Sequence, residues 1–339
     1  MKYLFEFTGE HKTLPFAELN GVLEGVGVEF ESKLDSPGVG IVTTQKSIQK
    51  AITRLALLRS TSHLKFICPD PTYDNVTKIS RKKLKDLKGT FALDARRILG
   101  YHRELSTTQL KKNIGGAIVA QSKDKKRVDM KNPDVVLKIL LSNKLYAGKL
   151  IAAADRTDFE ARHNRHRPFF SPISLHPKFA RAMINLARVR KSQSVLDPFC
   201  GTGGILLEGA SIGLKVYGSD ISEKMVNGTR RNLEHFNLDY QDLQRCDIKS
   251  CPELFGKMDA VVTDPPYGKS ASTSGEGIIK LYKRTFATIQ NVLKRRRYLV
   301  IMLPAEKFII MGEDYFKLKE HYAVYVHRSL TRHICVYQN

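Results

Sequence analysis

The chain has 339 residues, enough for two or three domains, and carries a formal net charge of +22. That balance sets aside an acidic partner-seeking surface and makes a polyanion, nucleic acid first, the expected partner. Five cysteines at 68, 200, 246, 251 and 335 form no Cys-x-x-Cys pair, so neither a disulfide framework nor a zinc or other metal site is indicated. No N-terminal apolar leader and no apolar run of eighteen residues is present, which predicts a soluble cytoplasmic protein with no membrane and no obligate protein partner.

The N-terminal part alternates strand and helix. Lys2 to Phe7 reads as a strand, and Pro15 to Glu24 as a helix with proline in its first turn. Val28 to Glu31 and Gly40 to Thr44 read as strands, Ile48 to Leu58 as a helix, and His63 to Cys68 as a strand. This order predicts a ferredoxin-like α+β unit over 1–70. A second unit over 71–155 reads as helix, strand (Thr90 to Ala95), helix (Thr107 to Gln121) and two strands (Val135 to Leu141, Leu145 to Ala153). Its stretches Thr108 to Ile118 and Val128 to Asp134 resemble a THUMP domain, an RNA-binding module of tRNA-modifying enzymes.

Charge concentrates in the second unit. Residues 78–131 hold sixteen Lys or Arg against five acids, a net of +11. Each run alone also fits a solvated helix face. Taken together, Arg81, Lys82, Lys83, Lys85, Arg96, Arg97, Lys111, Lys112 and the run Lys125 to Arg127 are expected to meet phosphates. Residues 156–172 are polar, basic and bounded by proline, and read as an extended linker whose Arg165 and Arg167 touch RNA backbone or simply connect. His176 precedes Pro177 at a helix start and reads as a structural or ligand-loop residue, not a proton carrier, and Ser174 and Leu175 are placed to line the amino-acid end of a ligand.

The C-terminal part carries the chemistry. Gln193 to Asp197 is a short apolar strand running into Pro198-Phe199-Cys200-Gly201-Thr202-Gly203-Gly204 and an apolar helix. Strand, glycine turn and helix open a nucleoside-binding α/β fold, with glycines letting backbone approach a ligand. The next apolar run ends at Asp220-Ile221, an acid about twenty residues on, where a ribose diol is bound. The spacing is Gly-Thr-Gly-Gly and not Gly-x-Gly-x-x-Gly, which argues against a nicotinamide site. A further acid, Asp247 before Ile248, suits an adenine amine. The apolar run Met258 to Thr263 reads as a buried strand ending in Asp264-Pro265-Pro266-Tyr267-Gly268. An amine conjugated to a nucleobase is a poor nucleophile. A carboxylate and a prolyl-turn carbonyl can accept its hydrogen bonds and aim its lone pair, while an aromatic ring packs on the base. Lys280 to Leu293 reads as a helix that Lys294 to Arg297 end, before a strand from Tyr298 to Leu303.

These motifs, in this order, resemble Rossmann-fold, S-adenosylmethionine-dependent amino-group methyltransferases over about 168–339. Thr263 to Ser270 and His176 to Ala187 are similar to the tRNA guanine-10 N2-methyltransferases, particularly the single-chain archaeal type. The resemblance implies an α/β fold with a Rossmann-fold methyltransferase domain over 173–339. It implies S-adenosylmethionine held by Ser174, Leu175, Asp197, Phe199, Gly201, Thr202, Gly203, Asp220, Ile221, Asp247 and Ile248. It further implies methyl transfer to guanosine N2 in tRNA, giving one methyl or two, with Asp264, Pro265, Pro266 and Tyr267 as the catalytic group. Alternatives at this level are guanosine 6 of tRNA, an amino group in other RNA or DNA, or a catalytically silent RNA-binding protein.

Overall fold

The computed structural model describes residues 1–121, 127–155, 157–171, 174–267, 277–327 and 330–339. The chain divides into two compact units. One comprises Met1–Phe16, Val28–Gln49 and Leu57–Ala154, the other Ala17–Gly27, Lys50–Ala56 and Asp155–Asn339. In chain order the elements up to residue 153 are β1 (Lys2–Phe7), α1 (Leu14–Gly25), β2 (Phe30–Ser36), β3 (Val39–Thr44), α2 (Gln49–Ile52), β4 (Leu58–Cys68), α3 (Tyr73–Lys83), β5 (Phe91–Arg97), α4 (Thr107–Val119), β6 (Val135–Leu141) and β7 (Leu145–Ala153). Among the described residues the first unit is built on one seven-stranded sheet, β2-β3-β1-β4-β7-β6-β5. Strands β4-β1-β3-β2 lie in the order of a ferredoxin-like β-α-β-β-α-β unit. The strands before and after residue 70 share that sheet, and segments 17–27 and 50–56 cluster with the second unit. The expected boundary at 155 coincides with the change of unit after Ala154, whereas residue 70 lies inside the first unit.

Helices α3 and α4 start where a hydroxyl satisfies an orphan amide. The Thr72 hydroxyl accepts from Asn75 N at 3.1 Å and the Ser106 hydroxyl from Gln109 N at 3.3 Å. Their apolar faces bury Val76, Leu110 and Ile114 with Phe66, Phe91, Leu137 and Ile139. The basic residues Arg81, Lys82 and Lys83 fall in the last turn of α3, on its exposed side, with Lys85 exposed just beyond. Lys112 is exposed and Lys111 half-buried on α4. Arg96 and Arg97 make contacts within the unit. Arg96 pairs with the buried Glu6 at 3.3 Å while its side chain stays 42 % exposed, and Arg97 donates to the carbonyls of Tyr101, His102 and Leu105. Lys125 and Lys126 lie outside the described residues.

The second unit continues with α5 (Thr157–Ala161), α6 (Pro177–Leu186), β8 (Ser194–Asp197), α7 (Gly204–Ala210), β9 (Lys215–Asp220), α8 (Glu223–His235), β10 (Asp242–Arg245), α9 (Cys251–Phe255), β11 (Met258–Thr263), α10 (Ile278–Val292), β12 (Leu293–Leu303), α11 (Glu306–Glu313), β13 (Lys317–His327) and β14 (Leu330–Gln338). Its sheet runs β10-β9-β8-β11-β12-β14-β13. The first five strands are parallel, and β14 and β13 close the edge antiparallel. Parallel strands covered on both faces read as continuous apolar runs, and Ala260-Val261-Val262 and Leu299 to Leu303 are such runs. Strand order reverses between β8 and β11, which opens a crevice at their carboxyl ends. Among the described residues no helix is long and apolar enough to cross a membrane.

Three expectations change here. The apolar spacing over Ile48 to Leu58 gives only the four-residue α2, because Leu55, Ala56 and Leu57 are buried in a turn that leads straight into β4. The run Lys294 to Arg297 belongs to β12, which begins at Leu293 directly after α10, and Lys294 pairs with Asp259 at 2.9 Å. The segment expected as an extended linker contains α5 and a 3-10 turn at Asn164–His166, though Arg156 and Pro172 lie outside the described residues. Arg165 is exposed and pairs with Glu160 at 3.0 Å. Arg167 is buried, its Nε donating to the Arg162 carbonyl at 2.9 Å, so it is not presented to RNA.

An ion cluster lies close to Arg167. Glu208 on α7 is fully buried and accepts from Arg162 Nε at 2.8 Å and from Arg181 Nη2 at 2.8 Å. Both guanidinium groups also lie over the Phe159 ring. Removing one partner of a buried pair strands the other charge, which costs about 3–5 kcal/mol. Glu208→Gln is therefore expected to lower the unfolding free energy by that amount, read as a lower urea midpoint at unchanged slope. A loss below about 1 kcal/mol in equilibrium unfolding would show that the cluster is not holding α5, α6 and α7 together.

Candidate active site

The crevice at the switch point is a cavity of about 490 Å³, and β8, β9 and β11 each deliver an acid to it. Asp197 ends β8 and is 2 % exposed. Its Oδ1 accepts from Phe199 N at 3.1 Å and from the Thr263 hydroxyl at 2.7 Å. Burial pushes the Asp197 carboxyl up to about 7, against the pull of those two hydrogen bonds. The loop that follows turns back through Gly201 and Gly203, both at positive φ. A Cβ at Gly203 would sit 2.8 Å from the Thr229 methyl, so only glycine fits.

Asp220 ends β9 and clamps this loop. Its Oδ2 accepts from Gly201 N at 3.1 Å and its Oδ1 from Ser222 N at 2.9 Å. Burial raises its pKa, with the two backbone amides opposing. Asn232 on α8 donates to the Thr202 carbonyl at 2.9 Å, and its amide oxygen accepts from Phe169 N at 3.0 Å. The Ser174 and Thr202 hydroxyls are paired at 2.9 Å. The loop is thereby pinned from three sides. His176 caps α6, its Nδ1 accepting from Lys178 N at 3.2 Å, which is the structural role expected of it. Asp247 accepts from Lys249 N at 2.9 Å and from the guanidinium of Arg284 on α10.

Asp264 follows β11. The Tyr267 hydroxyl donates to its Oδ1, and Arg332 Nη1 on β14 lies 3.5 Å from its Oδ2. The Arg332 guanidinium sits over the Tyr267 ring at 5.0 Å, so one face of that ring is covered. Burial raises the Asp264 pKa, while Arg332 and the Tyr267 hydroxyl pull it down. Tyr282 on α10 supports the turn by donating to the Pro266 carbonyl at 3.4 Å.

Ser174, Leu175, Asp197, Phe199, Gly201, Thr202, Asp220, Ile221, Asp247 and Ile248 all line the cavity, as do Asp264, Pro265, Pro266 and Tyr267. Gly203 does not line it and instead shapes the turn. Gly268 to Ser270 lie outside the described residues. Sequence reasoning missed Arg284 and Arg332. Arg332 left one trace, a cation inside the otherwise strand-like run Leu330 to Tyr337, and Arg284 left none. The lining holds four carboxyl groups against these two guanidinium groups. A surplus of acids around an apolar floor suits a ligand bearing an ammonium and a sulfonium, and the residues present therefore fit S-adenosylmethionine.

Comparison with known proteins agrees with this geometry. An RMKL-like methyltransferase domain matches residues 164–334, and a THUMP domain matches residues 70–145. A tRNA (guanine(10)-N2)-dimethyltransferase of Methanothermobacter thermautotrophicus is 34 % identical, over 99 % of each chain. The chain belongs to the tRNA (guanine(10)-N2)-dimethyltransferase family. The crystal structure of TrmN from Thermus thermophilus shares the fold, with a TM-score of 0.56 and 19 % identity over the whole of both chains. So does SMU.472, solved in complex with SAH, with a TM-score of 0.55 and 14 % identity over all of this chain and 98 % of that one.

Asp220 offers the test of the cofactor side. Charge-assisted hydrogen bonds contribute about 1.5–3 kcal/mol each. Asp220→Ala is expected to weaken S-adenosylmethionine binding about tenfold or more in calorimetry. Affinity equal to the wild type would remove Asp220 from the cofactor site.

Proposed function

We propose that this protein transfers methyl groups from S-adenosylmethionine to the exocyclic N2 of guanosine 10 in tRNA, giving N2-methylguanosine and then N2,N2-dimethylguanosine. The observation that carries the reading is Asp264-Pro265-Pro266-Tyr267 at the end of β11, opening into the same cavity as Asp197 and Asp220. The dimethyl product is the one in the printed names of the archaeal relatives. The cytoplasm is the compartment that a tRNA substrate and five free cysteines support.

The bound cofactor supplies a methyl group already activated on a sulfonium. Asp220 and Ile221 would hold the ribose, Asp247 and Ile248 the adenine, and Asp197 with Ser174 and Leu175 the amino-acid end. Asp264 accepts a hydrogen bond from the target amine, with the Pro265 carbonyl as second acceptor, and so points the lone pair toward the cavity. As the methyl–nitrogen bond forms, the methyl–sulfonium bond breaks, and the methylated amine, a strong acid, gives up its proton to Asp264 or to water. Tyr267 orients Asp264 through its hydroxyl, and the face of its ring away from Arg332 is the one left to pack on a base. Catalysis of this kind is positioning and electrostatics. On the tRNA side, Lys78, Arg81, Lys82 and Lys85 gather around a shallow depression on α3, and we assign them to phosphates.

Removing one preorganised electrostatic partner costs about a hundredfold or more in turnover. Asp264→Ala is expected to lose at least that under single-turnover conditions with tRNA, at unchanged cofactor affinity. Asp264→Asn keeps an oxygen acceptor without the charge. Partial activity in Asn points to orientation of the lone pair, and loss equal to Ala points to the charge. An Ala variant near the wild-type rate would take Asp264 out of the reaction.

A further inference from the structure

Arg332 is a cavity cation to which the reading above gives no role in the reaction. It comes from β14, 68 residues beyond Asp264. It is 9 % exposed, and its Nε is buried with no hydrogen-bond partner among the described residues. A guanidinium in that state is costly, because a buried charge is tolerated only when paired. Its Nη1 reaches toward two groups, the Asp264 carboxylate at 3.5 Å and the Met302 sulfur at 3.8 Å. Its plane meets the Tyr267 ring, whose hydroxyl donates to the other oxygen of Asp264. Two side chains from two places in the chain, Tyr267 and Arg332, thus converge on one carboxylate. No other cation is paired with Asp264 among the described residues.

We infer that Arg332 is a positioning residue for the methyl transfer, acting through Asp264: it keeps the carboxylate ionised and turned so that it accepts a hydrogen bond from the guanine amine. The inference rests on the reading of Asp264 as the acceptor for that amine. A protonated carboxyl presents an O–H where an acceptor is needed, and it competes with the amine instead of aiming it. Burial pushes Asp264 toward that protonated form. The charged and titratable groups around it are Tyr267 on its own loop, Tyr282 on α10, Asp197 at the end of β8 and Arg332 on β14. Asp197 repels a second negative charge, and the two tyrosines are held neutral by burial. Arg332 is the one positive member of that set.

The sign of the pH effect follows. Activity requires ionised Asp264, so it fails as pH falls through the Asp264 pKa. Taking away the cation raises that pKa and moves the acid limb of the rate profile to higher pH. An opposite charge at this range is worth about one to three pH units to a carboxylate.

The experiment measures single-turnover N2-methylation of tRNA from pH 5 to 9, with cofactor affinity measured beside it. Arg332→Met should move the acid limb up by about one unit or more and slow the reaction at neutral pH about tenfold or more, at unchanged cofactor affinity. Arg332→Lys should recover part of both. In an Asp264→Asn background Arg332→Met should have no further effect. A Met variant with the wild-type acid limb overturns the inference, as does one that is slow with an unmoved limb, since that is a structural defect. If the Met variant does not fold, the Lys variant decides: it should slow the wild type and leave the Asn background unchanged, and equal slowing of both overturns the inference. A wild type that places no methyl on guanosine overturns the underlying reading and the inference with it. A wild type that does, beside an indifferent Arg332→Met, overturns the inference alone.

Discussion

A carboxylate taken out of water is the constraint on which the rest of this site depends. Asp264 must be buried to meet a nucleobase in a dry cavity, and burial favours its neutral form. Asp197, close by, is pushed up to about 7 for the same reason. Two acids at the ends of adjacent strands cannot both remain charged unless something offsets them. Arg332 does so for Asp264 in the structure as it stands, and a cationic ligand would do so for Asp197. The cavity thus has an acidic demand that matches the charge of the molecule it is read to hold.

The topology makes that arrangement available. Parallel strands all point their carboxyl ends to one edge, and the reversal of order between β8 and β11 keeps a gap there. The motifs at 197, 220 and 264 fall at that edge because each ends a strand. The cation cannot come from a parallel neighbour's motif in the same way. It comes from β14, whose antiparallel run beside β12 returns the chain and sets His333 opposite Leu303. Arg332, the third residue of β14, therefore lies at the edge where β11 and β12 end.

Much of this was legible in the residues. Strand ends, the glycine turn and the order of the acids are local patterns, and each followed from a short apolar run meeting a turn. What was not legible depends on distance in the chain. Arg332 gave only a cation in an apolar strand, because its partner lies 68 residues away. The basic residues show the same limit from the other side. Charge counting treats Arg96, Arg97 and Arg167 like Arg81 and Lys82. Yet the first three hold Glu6 or backbone carbonyls, pairings with distant or turn residues that charge counting does not see. Tyr267 was read as a base-stacking ring, and its hydroxyl bond to Asp264 adds a role that composition cannot carry.

The central claim is that this carboxylate-lined crevice methylates the amine of one guanosine in tRNA. The most direct measurement is mass-spectrometric mapping of an unmodified tRNA transcript after incubation with the full chain and S-adenosylmethionine. The account predicts N2-methylguanosine and N2,N2-dimethylguanosine confined to the fragment containing guanosine 10, and none when that guanosine is replaced by adenosine. Methyl groups on adenine or cytosine, or on guanosine at another position with position 10 unmodified, would contradict it.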